Sequence, residues 1–186
     1  MDIGPIASRY ARALLTFAME NGNEELAYKQ TKLLMANYRK IPELRQAIEN
    51  PTVSEREKVS VLRNATAGKK TCKEMVRFFH VLLDNKREKM LPFILSSYLF
   101  HYRKKKRIRQ CKLITAAPLP QKTLEEIKTL ILKNYRGRKV EFDTKIDPNI
   151  IGGTVLEIGY WRIDTSVTGQ LRRIKKEFIE RNRRIV

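Results

Sequence analysis

The chain has 186 residues, of which 42% are hydrophobic and 32% are charged, and its 39 basic and 20 acidic residues give a net charge of +19. This composition predicts a globular protein of one or two domains. The sequence also excludes a membrane-spanning helix, because no apolar run reaches the roughly 18 residues that such a helix needs. Cys72 and Cys111 are too few for a disulfide framework, and we expect both to be buried free thiols. No leader segment is expected ahead of the first helix.

Residues 1–102 follow a helical period from end to end. The pattern predicts six helices, at about 6–20, 24–39, 43–48, 54–67, 72–84 and 91–102. Capping boxes are predicted where the fourth and fifth helices begin, formed by Ser54 with Glu57 and by Thr71 with Glu74. Pro5 suits the first turn of the first helix. The apolar residues of that helix recur at steps of three and four, at Ile6, Tyr10, Ala13, Leu14 and Phe17.

The first and fifth helices carry a surplus of apolar residues. The stripe on the first helix is expected to be mainly a core contact, yet it covers more arc than one such contact needs. The fifth helix, from Cys72 to Asp84, is unusually apolar for a helix with only one buried side. A helix of this kind is either central in a bundle or half-covered by a partner. Two such helices side by side would form a groove for an amphipathic helix of another protein.

Beyond Lys104 the period changes from that of a helix to that of a strand. In chain order, the elements expected are a strand at 108–117, a helix that ends at Gly137, an alternating half-buried strand at 140–146, a turn at 147–149, a strand or hairpin at 154–164, and a last helix that begins at Ser166. The predicted fold class is therefore mostly α. An N-terminal six-helix bundle at 1–103 and a basic hinge at 104–107 precede a small α+β domain at 108–186.

Positive charge is concentrated in two short stretches. Residues 103–112 carry a net charge of +7 and residues 171–186 carry +5. Such clusters suggest an anionic partner. The first stretch begins with a basic run made of Arg103, Lys104, Lys105, Lys106 and Arg107. This run has three interpretations, which are the solvated end of a helix, a contact with acidic groups of a protein partner, and nucleic-acid binding.

No catalytic, metal or cofactor site is predicted. The chain has no glycine-rich phosphate-binding loop, and its two histidines form no metal-ligand pattern. Gly152 and Gly153 lie between a turn and a strand, so their expected role is in the backbone, through a positive φ, a bulge or close packing. Asp164 and Ser166 are expected to cap the last helix.

Two runs of sequence carry a resemblance to a known family. The first is Ile6-Ala7-Ser8-Arg9-Tyr10-Ala11-Arg12-Ala13-Leu14; the second is Asp147-Pro148-Asn149-Ile150-Ile151-Gly152-Gly153, followed by Asp164-Thr165-Ser166 and Leu171. In this order and spacing, and over nearly its whole length, the chain resembles the delta subunit of F-type ATP synthase. The mitochondrial counterpart of that subunit is the oligomycin-sensitivity-conferring protein.

The resemblance implies a non-catalytic stator protein, without a cofactor, that joins the peripheral stalk to the top of the catalytic head. Its N-terminal bundle would bind the N-terminal helix of an alpha subunit through the first and fifth helices. The candidate residues for this contact are Tyr10, Leu14, Phe78, Phe79 and Leu82. The C-terminal domain would bind the b subunits of the stalk.

The resemblance also implies a peripheral location at the cytoplasmic face of a bacterial plasma membrane. The alternative function is that of a basic nucleic-acid-binding protein. No helix-turn-helix, zinc finger or aromatic RNA-binding strand accompanies the basic run, so specific recognition of a nucleic acid is not expected.

Overall fold

The chain divides into two compact units, Met1–Lys105 and Lys106–Val186. The computed structural model describes residues 3–134 and 139–183. The first unit is helical, and the second contains a four-stranded sheet with two helices. The predicted fold class, mostly α with a small α+β part at the C-terminal end, is confirmed. Within the described ranges, no helix is both long enough and apolar enough to cross a membrane.

Six α-helices form the first unit between residues 3 and 105. They are α1 (Ile3–Glu20), α2 (Glu24–Lys40), α3 (Pro42–Glu49), α4 (Glu55–Thr66), α5 (Lys73–Asp84) and α6 (Leu91–Lys105). Large side chains from several helices meet in their core, and Leu34, Phe79 and Tyr98 are fully buried there. Burying an apolar side chain of this size stabilises the fold by about 1.5–3 kcal/mol.

Alanines make much of the buried face of α1. Ala7, Ala11 and Ala18 are at most 3% exposed. Small side chains on one face of a helix let the backbone of a neighbouring helix approach closely, and α1 packs mainly against α6.

The apolar stripe predicted on α1 lies beside this alanine face. Leu14 is buried, but Tyr10 and Phe17 are half-buried and Ala13 is exposed. Of the five stripe residues, Leu14 is buried and Ala13 is exposed, so the predicted core contact is present only in part. Tyr10 and Phe17 mark one flank of α1, while the alanines, with Leu14 and Leu15, mark the side that faces the core.

The two predicted capping boxes had different outcomes. The box at Ser54 and Glu57 is present, and each side chain accepts a hydrogen bond from the backbone N–H of the other residue. The box at Thr71 and Glu74 is wrong, because α5 begins without a side-chain cap. The Thr71 hydroxyl instead donates to backbone carbonyls upstream, and the Glu74 carboxylate accepts a hydrogen bond from Asn23.

A four-stranded sheet in the order β2-β1-β3-β4 organises the second unit. Its strands are β1 (Arg109–Thr115), β2 (Val140–Ile146), β3 (Thr154–Ile158) and β4 (Trp161–Asp164). β1 and β2 are parallel, so their connection crosses over and contains the helix α7 (Gln121–Asn134). β3 and β4 form the predicted hairpin, and α8 (Val167–Arg183) follows. The helix end predicted at Gly137 lies outside the described residues.

The core of the second unit is a small cluster between α7 and one face of the sheet. Cys111, Ile131 and Ile158 are buried there, with Phe142 packed against them. The half-buried alternation predicted along β2 is wrong for the second half of that strand, which is exposed from residue 143 onward. β2 is an edge strand, and Ile146 at its end is 51% exposed.

Candidate functional site

A groove between α1 and α5 is the candidate site of the first unit. It has a volume of about 270 Å³, and apolar side chains make most of its surface. The residues that line it are Tyr10, Ala13, Leu14, Phe17, Glu74, Arg77, Phe78 and Val81, and we call this set the α1–α5 groove. Positions at steps of three and four along each helix share one face, which explains how two helices supply the whole lining.

The five candidate residues for helix binding separate into two groups. Tyr10, Leu14 and Phe78 line the α1–α5 groove. Phe79 and Leu82 are 0% exposed and belong to the core of the first unit. A residue without exposed surface cannot contact a partner unless the fold opens, so their part in a partner contact is limited to supporting the groove from beneath.

Sequence reasoning missed several accessible members of the groove as site residues. Val81 is 43% exposed, Ala13 is also exposed, and Phe17 is half-buried. Their helical spacing from Tyr10 and Phe78 was visible in the sequence. What the sequence did not reveal is which side of each helix faces the core.

Two arginines lie over aromatic rings of α1 beside the groove. The Arg77 guanidinium carbon is 5.7 Å from the centre of the Phe17 ring. The Arg87 guanidinium carbon is 5.5 Å from the centre of the Tyr10 ring. Both distances are within the range of a cation–π interaction. The aromatic walls of the groove therefore carry positive charge.

The carboxylate in the groove belongs to Glu74 and is fixed by a hydrogen bond within the first unit. Glu74 is 3% exposed, and its Oε1 accepts a hydrogen bond of 2.9 Å from the Asn23 side chain. Its Oε2 is shielded from solvent and has no hydrogen-bond partner among the described residues. Burial acts to raise the pKa of Glu74, but hydrogen bonding, from Asn23 above all, outweighs burial and holds that pKa below the ordinary value.

Helix α8 presents an apolar stripe to solvent in the second unit. Its members are Val167, Leu171, Ile174 and Phe178, which are 38–65% exposed. Their steps of four, three and four give a narrow seam of the kind that packs against one other helix. The edge strand β4 also exposes Trp161 and Ile163, which are 75% and 56% exposed.

The predicted turn and cap residues join the start of β3 to the start of α8. Gly153 has a φ of +74°, and a Cβ there would overlap the Thr165 carbonyl oxygen. A Cβ on Gly152 would crowd Val167. Ser166 Oγ accepts a hydrogen bond of 3.0 Å from the Gly169 N–H at the start of α8, and Asp164 accepts hydrogen bonds from both the backbone and the hydroxyl of Ser166. Close packing holds both glycines, Gly153 has a positive φ, and Ser166 caps α8, whereas Asp164 bonds to Ser166 and not to an N–H of the helix.

The residues of the basic run at 103–107 differ in burial and in their contacts. Arg103 is half-buried in α6, where its Nε donates a hydrogen bond of 2.9 Å to the Tyr28 hydroxyl. The next four residues, Lys104, Lys105, Lys106 and Arg107, are exposed. Across the described ranges, no group of three or more acidic, histidine or cysteine side chains is arranged to hold a metal ion.

Comparisons with known proteins agree with one another. The family described as "ATP synthase delta (OSCP) subunit" matches residues 6–178. ATP synthase subunit delta of Phocaeicola vulgatus is 42% identical over the full length of both chains, and that of Bacteroides thetaiotaomicron is 39% identical over the full length of both. A chain in the cryo-EM structure of the Toxoplasma gondii mitochondrial ATP synthase hexamer shares the fold, with a TM-score of 0.72 and 23% identity over 93% of this chain and 97% of that one.

The chain therefore belongs to the ATP synthase delta (OSCP) subunit family. The resemblance stated from its two sequence runs is confirmed. The family consists of structural subunits that are not themselves catalytic. The comparisons give no support to the nucleic-acid-binding alternative.

Proposed function

We propose that this protein is the delta subunit of an F-type ATP synthase and acts in the stator, joining the peripheral stalk to the top of the catalytic head. In that role it resists the torque of the rotor, so that rotation drives ATP synthesis instead of turning the head. The requirement is tight binding at two surfaces, which depends on buried apolar anchors and not on stabilisation of a transition state. Family membership and the α1–α5 groove support this proposal.

The α1–α5 groove is the observation that carries the proposal. It is lined by residues of two helices, most of its surface is apolar, and it is open to solvent at Ala13 and Val81. A groove between two helices suits an amphipathic helix, which would place its apolar face inside. In the proposed function this helix is the N-terminal helix of an alpha subunit, and Tyr10, Leu14 and Phe78 contact it.

The second unit is proposed to bind the b subunits of the peripheral stalk. The exposed stripe of α8 supports this, because Leu171, Ile174 and Phe178 form a seam that one added helix would cover. The helix also carries six basic and two acidic residues between 167 and 183, which favours a partner with acidic side chains. The exposed residues Lys104 to Arg107 are proposed to meet acidic groups of the assembly. The whole protein would lie peripherally at the cytoplasmic face of a bacterial plasma membrane.

A binding titration tests the α1–α5 groove directly. The full chain is titrated with a peptide from the N-terminus of the alpha subunit of the same organism. Val81→Asp puts a charge into the apolar lining and should weaken binding by about tenfold or more. Leu33→Asp is the matched control, since Leu33 is similarly exposed, at 46%, but lies on α2 outside the groove. Unchanged binding by the Val81 variant would place the alpha-subunit contact elsewhere.

A co-purification experiment tests the stator role as a whole. Tagged full-length protein should recover alpha and b subunits together from solubilised membranes. Leu171→Asp should reduce recovery of the b subunits while leaving recovery of the alpha subunit, and Val81→Asp should do the reverse. Loss of both partners from one variant that remains folded would contradict the assignment of one partner to each unit.

A further inference from the structure

The two arginines at the α1–α5 groove have positive charge that no contact within the described chain neutralises. Arg77 and Arg87 each lie over an aromatic ring of α1. Neither guanidinium has a hydrogen bond or an ion pair with any residue of 3–134 or 139–183. An exposed arginine gains little from an ion pair when its long side chain must first be ordered.

Contact with the aromatic rings lowers the entropy that each arginine side chain loses when it forms an ion pair. A guanidinium that lies over an aromatic face is already restricted, while the N–H groups at its edge stay free to donate hydrogen bonds in the plane. A carboxylate that binds there meets a donor whose position is set in advance, so less entropy is lost when the ion pair forms.

The carboxylate of the groove itself forms no ion pair with either arginine among the described residues. Glu74 is shielded from solvent and engaged by Asn23. A helix that enters the groove therefore meets an apolar floor and two guanidinium groups at its aromatic walls. This arrangement selects the occupant by charge as well as by apolar shape.

We propose that the occupant of the α1–α5 groove is an amphipathic helix that carries two acidic side chains about seven residues apart, beside its apolar stripe. One acidic side chain pairs with Arg77 and the other with Arg87. Tyr10 and Phe17, which hold the two arginines, are seven residues apart on α1, or about 10 Å along its axis. A helix that packs along α1 at a small angle presents positions i and i+7 at the same spacing. This inference rests on the proposed function, since it takes the groove to be the helix-binding site.

Three synthetic helical peptides of about 20 residues with the same apolar stripe serve as probes. The first has two glutamates at i and i+7 beside the stripe, the second has the same two glutamates on the opposite face, and the third has glutamines beside the stripe. Binding to the full chain is measured by calorimetry at about 50 mM and about 500 mM salt. The first peptide should bind about fivefold more tightly than the other two at low salt, and this advantage should shrink at high salt because partly exposed ion pairs are screened.

Glutamine variants assign the effect to the two arginines. Arg77→Gln and Arg87→Gln should each remove about half of the advantage of the first peptide, and the double variant should remove all of it. The quantity compared is the ratio of the affinities for the first and third peptides, which cancels any change that a variant makes in the shape of the groove walls. Arg39→Gln is the matched control, because Arg39 is exposed on α2 and lies outside the groove lining.

The possible outcomes separate this inference from the proposal on which it rests. Equal binding of the first and second peptides, or an advantage that persists in the double variant, would overturn the charge selection while the groove still binds helices. An equal loss of affinity for all peptides would also overturn it, since the arginines would then only shape the walls. If no peptide binds, or if Val81→Asp does not weaken binding, the groove itself fails as a helix-binding site.

Discussion

The two units of this chain bury their apolar side chains to very different extents. In the first unit, large residues such as Leu34, Phe79 and Tyr98 are enclosed by six helices. In the second, the buried cluster around Cys111 is small, and α8 leaves a whole apolar stripe in solvent. The first unit therefore has a core that can support a fixed binding groove, whereas the second has apolar surface that only a partner would bury.

This difference indicates two ways of building a binding surface. The α1–α5 groove lies above a filled core, so its walls are held in place before a partner arrives, and little ordering cost remains at binding. The stripe on α8 has little supporting structure beneath it, so covering it adds stabilisation that the second unit lacks alone. A protein with one rigid binding surface and one surface that its partner stabilises fits the proposed stator role.

Paired leucine variants should show the largest effect. Leu82 is 0% exposed in the first unit, and Leu82→Ala should lower the free energy of unfolding by about 2–5 kcal/mol because it leaves a cavity. Leu171 is 55% exposed on α8, and Leu171→Ala should change that free energy by less than about 0.5 kcal/mol. Urea unfolding followed by circular dichroism measures both. Similar losses for the two variants would show that the α8 stripe is buried in the free protein.

Paired glycine variants should have the next largest effect and confine it to the second unit. Gly153→Ala places a Cβ against a backbone carbonyl at a positive φ and should lower the local stability by about 3 kcal/mol. Gly159 has a φ of +59°, but its Cβ would meet only the movable side chain of Arg109, so Gly159→Ala should cost about 1 kcal/mol. Hydrogen exchange resolved by peptide measures each unit separately. Faster exchange in α1–α6 of the Gly153 variant would mean that the units unfold together.

The two cysteines provide one reporter in each unit. Cys72 and Cys111 are free and buried, and burial raises the pKa of both thiols, so labelling requires local opening. We expect a thiol reagent to label Cys111 about tenfold faster than Cys72, since the smaller core of the second unit should open more readily. Single serine variants assign each rate. A faster reaction at Cys72 would mean that the first unit, despite its larger core, opens more readily than the second.

The smallest effect should be a pH dependence at the start of α8. Hydrogen bonds from the Ser166 side chain and backbone hold the pKa of Asp164 below its ordinary value of 3.8. The folded pKa is lowered, so the stabilisation is present above the unfolded pKa and is lost as pH falls through the folded one. Hydrogen exchange in the first turn of α8, corrected for the intrinsic effect of pH, should lose protection below about pH 4. Asp164→Asn should make that protection insensitive to pH in this range, and an unchanged profile would exclude Asp164 as its source.

Local sequence signals predicted most of the secondary structure. Helix periodicity, the Ser54 capping box, and the cap at Ser166 depend on residues within a few positions of one another, and the structure has each of them. The Thr71 box is absent, and Glu74 instead accepts a hydrogen bond from Asn23, which is 51 residues away in the chain. A competing tertiary contact of this kind leaves no trace in a local pattern.

The candidate site was predictable in outline but not in its membership. The surplus of apolar residues on the first and fifth helices indicated a shared groove, and Tyr10, Leu14 and Phe78 do line one. Phe79 and Leu82 follow the same spacing yet lie in the core. Large apolar residues on neighbouring faces of a helix look alike in sequence, because burial depends on which other helices surround them.

The sequence by itself determined the family, the mostly helical fold class and the order of most elements, since these follow from short-range chemistry and from two characteristic runs. Only the tertiary structure decided which face of α1 is buried, since Ala7, Ala11 and Ala18 lie there beside Leu14 and Leu15 through close helix packing. The tertiary structure also decided which charged side chains lie beside the groove. Arg87 lies beyond the end of α5, and only the fold brings its guanidinium over Tyr10 on α1, 77 positions earlier in the chain.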